Sequence, residues 1–122
     1  MRKAIVTALT VLPLGIVGVA VPAWAAGFDG DWTVRVITEK GNCDPIYTYD
    51  VRVSQGAILY PSYTSVTLHG TVSPQGAVKV AIRHFEEHAD GTGQLTSRRG
   101  NGGWKGSGRV GTCSGRWEAH RR

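Results

Sequence analysis

The sequence predicts an all-β domain: eight short antiparallel strands in an up-and-down barrel, closed by one disulfide. Three observations predict it. Apolar and polar residues alternate with a period of two along most of the chain after residue 26, as in strands with one face on a core and one in water. Turn-forming residues interrupt the alternation at intervals of roughly 8–12 residues, the spacing of an antiparallel meander. The only two cysteines, Cys43 and Cys113, stand 70 residues apart, after the first predicted strand and at the start of the last.

The strands follow in order. Trp32, Val34 and Val36 alternate with Thr33, Arg35 and Ile37. Tyr47, Tyr49, Val51 and Val53 alternate with Thr48, Asp50 and Arg52, and a short run from Ala57 to Tyr60 follows the turn Gln55-Gly56. Val66, Leu68, Gly70 and Val72 form the fourth series, and Val78, Val80 and Ile82 the fifth. The second half is sparser: Gly93, Leu95 and Ser97, then Trp104 to Val110, then Cys113, Gly115, Trp117 and Ala119 on one face. Further turns are expected at Gly41-Asn42, Pro61-Ser62, Ser73 to Gly76, Asp90-Gly91 and Gly100 to Gly102. No amphipathic helical stretch competes. Closure of such a meander removes sticky sheet edges, and Gly70, Gly93, Gly106, Gly108 and Gly115 permit the tight coiling it needs. A small β-sandwich is the alternative, although no Greek-key signature supports it. Strands one and eight are neighbours in a closed meander, which makes a Cys43–Cys113 bridge geometrically sensible.

The segment before the strands reads differently. Arg2 and Lys3, an apolar stretch from Ala4 to Val21, and Ala23-Trp24-Ala25 have the form of a secretory signal peptide cut after Ala25. The expected domains are therefore a signal peptide over 1–25 and one small barrel over 26–122, exported to the periplasm or beyond the cell. An even pair of cysteines in an exported chain is expected to be oxidised. A loop of this length contributes about 4 kcal/mol in the chain-entropy model, a substantial addition for a small domain.

Cleavage would leave 12 basic and 9 acidic side chains, a net charge of +3. The basic residues concentrate at Arg98-Arg99 and from Arg116 to Arg122. They read as a solvated tail that makes weak contact with anionic envelope polymers. Specific nucleic-acid binding is not expected, because only Trp117 interleaves with the basic residues. No membrane span follows the signal.

Few residues point to chemistry. His84-Phe85-Glu86-Glu87-His88 matches the inverted zinc-peptidase pattern H-x-x-E-H. That chemistry needs a helix, whereas this motif lies at a strand end. In a continuous strand His84, Glu86 and His88 would share one face, which leaves His84 and His88 as weak metal candidates and little room for metal-dependent chemistry by His84, Glu87 and His88. No serine occupies G-x-S-x-G, and no inward pair of carboxylates is expected. The reading is therefore a non-enzyme without catalytic residues or cofactor. The aromatic residues are more suggestive: Trp32, Tyr47, Tyr49, Trp104 and Trp117 all fall on the inward phase of their strands. They either fill the lumen or line a ligand pocket at one mouth.

Gly30-Asp31-Trp32 resembles the G-x-W signature of the calycin barrels, which include lipocalins, avidins and bacterial metalloprotease inhibitors. The resemblance implies that Trp32 closes one barrel end beneath a basic residue of the last strand: Arg116, Arg121 or Arg122. Trp32-Thr33-Val34, Thr38 to Cys43, Ala89 to Gly93 and Cys113 to Trp117 together also resemble short exported β-rich proteins of Gram-negative bacteria. The expected function is a binding module that carries a small apolar or aromatic ligand. The alternatives are a protein partner, bound as by a protease inhibitor through Ala26 to Asp29 or a rim loop, and a structural envelope role.

Overall fold

The computed structural model describes residues 27–61 and 63–122 as a chain, together with four isolated positions before them, 10, 13, 15 and 18. The signal-peptide expectation falls outside the described chain. Eight strands follow one another: β1 (Gly30–Lys40), β2 (Ile46–Ser54), β3 (Ala57–Leu59), β4 (Val66–Val72), β5 (Ala77–His84), β6 (Glu87–Leu95), β7 (Arg99–Gly108) and β8 (Gly111–Arg121). Each pairs antiparallel with the next, and β8 returns to β1, so the sheet is a closed up-and-down barrel. The sandwich alternative is excluded. Among the described residues no helix is long and apolar enough to cross a membrane.

The seam between β1 and β8 runs from Trp32↔Arg121 to Lys40↔Ser114, with a register shift between Thr38 and Lys40. Cys43 and Cys113 form the disulfide across it, with their Cα atoms 6.1 Å apart. The wall is thinnest at β3, which meets β2 only from Arg52↔Leu59 to Ser54↔Ala57 and β4 only at Ala57↔Thr71 and Ile58↔Gly70.

Two expected turns are strand instead. Asp90-Gly91 lies within β6, where Gly91 pairs with Val80 on one side and Trp104 on the other. Gly100 to Gly102 lies within β7, and the connection between these strands is Thr96 to Arg98. For Gly100 to Gly102 the reason is the size of an inward indole, Trp117. Gly102 is the register partner of Trp117, and a Cβ there would stand 2.6 Å from the Trp117 Nε1. A Cβ at Gly93 would also strike the Trp117 ring. With these walls bare, Trp117 lies across β7 and its indole N–H donates to the Thr92 carbonyl at 3.1 Å. Trp104 is the register partner of Gly115 and Gly91, and its N–H reaches past β8 to the Ile37 carbonyl at 2.9 Å. Glycine here clears the lumen rather than marking a turn.

Inward alternation gathers the core at one end. Trp32, Val51, Val53, Val72, Val78, Leu95, Trp117 and Ala119 are buried together. That end is also capped. Phe28 packs on the core, and its carbonyl accepts the Trp32 indole N–H at 2.9 Å. The Arg121 guanidinium stands 5.5 Å from the Trp32 ring centroid and donates to the carbonyls of Gly27, Asp29 and Ser97. One charged fork thus satisfies three loop carbonyls and stacks on the indole. The basic C-terminus is not a solvated tail: Arg121 belongs to β8, and the Arg122 amide donates to the Asp31 carbonyl.

Candidate functional site

The opposite end is open. Along β1 the inward series continues above Trp32 as Val34 and Val36, and along β2 it continues as Tyr49 and Tyr47. Val36, Tyr47 and Tyr49 meet Val66, Ile82, His84, Glu87, Ala89 and Trp104 around a cup of about 260 Å³. A narrower apolar space of about 70 Å³ continues from it toward the sealed end, and Val36, Tyr49, Ile82, Ala89 and Trp104 line both. The five inward aromatics therefore divide. Trp32 and Trp117 are buried in the packed half, whereas Tyr47, Tyr49 and Trp104 are half-buried walls of the cup.

Each aromatic wall has a defined role. The Trp104 N–H is spent on Ile37, so the ring offers its surface rather than a donor. The Tyr47 hydroxyl accepts the Asp44 amide at 3.0 Å, which fixes its ring beside the β1–β2 loop. Tyr49 meets Tyr60 edge to face, with ring centroids 5.6 Å apart. Burial pushes the Tyr49 hydroxyl above the ordinary tyrosine value, and Tyr60, Tyr47 and Glu87 push in the same direction. Tyr60 closes the β3 side of the wall, and its alternation with Ile58 is the sequence signal that marks it as inward.

The H-x-x-E-H residues form the rim, and here the expected geometry is corrected. β5 and β6 are joined by the two residues Phe85 and Glu86, with Phe85 at φ 55°. The strand therefore reverses inside the motif. His84 pairs with Glu87 and Arg83 with His88, which places His84 and Glu87 on the inner face and His88 on the outer one. His84, Glu86 and His88 do not share a face. Among the described residues no group of three or more His, Cys, Asp or Glu side chains is placed to hold a metal ion. Glu87 is thus a single carboxylate on the inner face, beside His84.

His84 links two polar neighbours. Its Nε2 lies 3.1 Å from Ser65 Oγ, and its Nδ1 lies 3.7 Å from a Glu87 carboxylate oxygen. The order serine, histidine, carboxylate matches a nucleophilic triad, but the second step is beyond hydrogen-bond reach. The His84 and Glu87 side chains are 40% and 54% exposed, so water screens the polarisation on which a triad depends. The arrangement acts as a polar clasp between β4, β5 and β6. His88 makes a similar outer contact, with its ring 3.3 Å from Ser107 Oγ.

Large apolar side chains are exposed around the same mouth: Ile46 at the start of β2, Tyr63 before β4, Phe85 at the β5–β6 turn and Val110 at the β7–β8 turn. The Cys43–Cys113 disulfide sits at this end, and the Cys43 amide donates to the Cys113 sulfur at 3.1 Å.

The fold and site define a closed antiparallel barrel with one packed, capped end and one open aromatic cup. Comparison with family models, curated proteins and solved structures finds no match to this chain.

Proposed function

We propose that this chain is an exported, non-enzymatic binding module that carries a small apolar or aromatic ligand in the mouth of its barrel. The observation that carries the reading is the difference between the ends. One is packed and capped by Phe28 and Arg121, and the other holds a cup of about 260 Å³ walled by Val36, Tyr49, Ile82 and Trp104. An apolar cavity of about 150 Å³ accommodates one benzene ring, so the cup has room for a ring with a short substituent. The lining is that of a ligand pocket: apolar and aromatic walls with a few polar groups at the lip. Arg121 over Trp32 is the arrangement implied by the calycin resemblance, and it supports placement among small ligand-carrying barrels. The disulfide and the leader support export.

Val36→Trp tests the reading, because Val36 lines both the cup and the space below it. Titration with a naphthalene-based fluorescent probe is expected to show saturable binding to the parent chain. Binding should weaken by about tenfold or more in the filled variant. Equal binding by both, with the variant folded, would place the probe elsewhere and defeat the reading.

A second reading is supported by the exposed Ile46, Tyr63, Phe85 and Val110: a protein partner docked across the mouth. The inhibitor form that uses the N-terminal segment is less supported, because Gly27 to Asp29 are held on the sealed end by Trp32 and Arg121. Phe85→Ser with Tyr63→Ser should abolish partner capture while leaving probe affinity unchanged. A partner retained by that double variant would remove this reading.

A further inference from the structure

We propose that the ligand of the cup is a cation: an ammonium group on an apolar or aromatic body, held between the rings of Tyr47, Tyr49 and Trp104 and the carboxylate of Glu87. The inference rests on the mouth-binding reading and names its ligand class.

Four observations carry it. First, Tyr47, Tyr49 and Trp104 line one cavity, and the Trp104 N–H and the Tyr47 oxygen are already engaged at its edges. The rings offer their π-surface, whose negative quadrupole attracts a cation, and the Tyr47 and Tyr49 hydroxyls keep their O–H donors beside it. Second, Glu87 is the one carboxylate among the lining residues of the cup, which otherwise carries neutral walls and the His84 imidazole, the His88 ring being turned to the outer face. Lys and Arg are absent from that lining.

Third, the Glu87 side chain is aimed across the mouth by a specific device. Gly108 occupies an inward position near the end of β7, and a Cβ there would stand 2.6 Å from Glu87 Cγ. The bare backbone of Gly108 is what lets Glu87 lean over the cup. The negative charge reaches inside, because Glu87 is among the groups that hold the Tyr49 hydroxyl above its ordinary range. Fourth, among the described residues the carboxylate makes no hydrogen bond to a side chain and no pair with Lys or Arg. Its nearest cationic neighbour is the His84 ring at 3.7 Å, outside hydrogen-bond reach and charged only when protonated. An ammonium seated below would find aromatic faces inside the cup, where the cation–π attraction is stronger than in open water, and a negative charge at its partly exposed lip. A carboxylate or phosphate ligand would meet Glu87 at the entrance.

The test compares phenyltrimethylammonium with tert-butylbenzene, its uncharged isostere, by titration calorimetry on the full chain expressed with its leader and purified without refolding. The cation is expected to bind about tenfold tighter than the isostere. Glu87→Gln should erase most of that preference while leaving the isostere's affinity unchanged. Tyr49→Leu should weaken the cation more than the isostere. Equal or tighter binding of the isostere, or an unchanged preference in Glu87→Gln, would overturn the cation assignment and leave the apolar-carrier reading standing. Failure of both probes to bind would overturn the two together.

Discussion

At the sealed end, the order of the barrel comes from packing: Trp32 is 1% exposed among valines, Leu95 and Trp117, and Phe28 and Arg121 lie over it. At the mouth the same strands carry Tyr47, Tyr49 and Trp104 around empty space, and covalent chemistry stands in for packing, with Cys43–Cys113 tying the β1–β2 loop to β8. A small domain has too little interior to leave half of it unfilled without another constraint. The staple therefore sits where the core is missing. This division separates the residues that stabilise the fold from those free to serve a ligand, although both sets were drawn from one inward pattern.

The division is sharpest in paired tryptophan truncations. Trp32→Ala should cost roughly 3–5 kcal/mol, since it removes the most deeply buried side chain of the core, enlarges the narrow apolar space that it borders and loses the bond to Phe28. Trp104→Ala should cost about 1–2 kcal/mol, because its ring already borders open space, while abolishing most probe binding. Denaturant melts of both would break the comparison if the two losses were equal.

Next in size is the staple. Replacing Cys43 and Cys113 by serine together should lower stability by up to about 4 kcal/mol. Amide hydrogen exchange should rise first near Val36, Tyr47 and Gly106 and last near Val53 and Ala119. Uniform acceleration around the barrel would show that the disulfide does not act on the mouth in particular.

The smallest expected effect is alkaline. The Tyr49 hydroxyl has a folded-state value above 10.0, so the folded protein holds that proton more tightly than the unfolded chain does. The contribution is complete below pH 10 and is lost as pH rises through the folded value. Tyr49→Phe should therefore flatten the decline of stability above about pH 10. A parent and variant that decline in parallel would contradict the burial of that hydroxyl.

Much of the architecture was legible. Period-two alternation in β1, β2, β4 and β5 and the spacing of the cysteines were enough for the eight strands, the closure and the disulfide. What misled was polar or glycine-rich sequence whose role is set across the sheet. Gly100 to Gly102 has turn composition, yet it is strand, and the Trp117 indole of the neighbouring strand lies where side chains at Gly100 and Gly102 would project; Asp90-Gly91 is strand as well, paired on both sides. The Phe85-Glu86 turn lacks turn chemistry altogether, since its first residue holds a left-handed φ that favours glycine. Without it, Glu87 and His84 could not be placed on one face. Phase identified the five aromatics as inward, but phase alone does not say which end of a barrel is filled. That depended on Phe28 and Arg121 folding over Trp32, with Arg121 bonded to Gly27 and Asp29 from more than ninety residues away.

The most direct measurement is an amide NMR map of the protein with and without a saturating small aromatic probe. Shifts confined to the mouth, at Val36, Tyr49, Ile82, Ala89 and Trp104, with Trp32, Val53 and Ala119 unmoved, are the expected result. Shifts centred on the sealed end, or no shifts at saturation, would contradict a barrel that is packed at one end so that it can bind at the other.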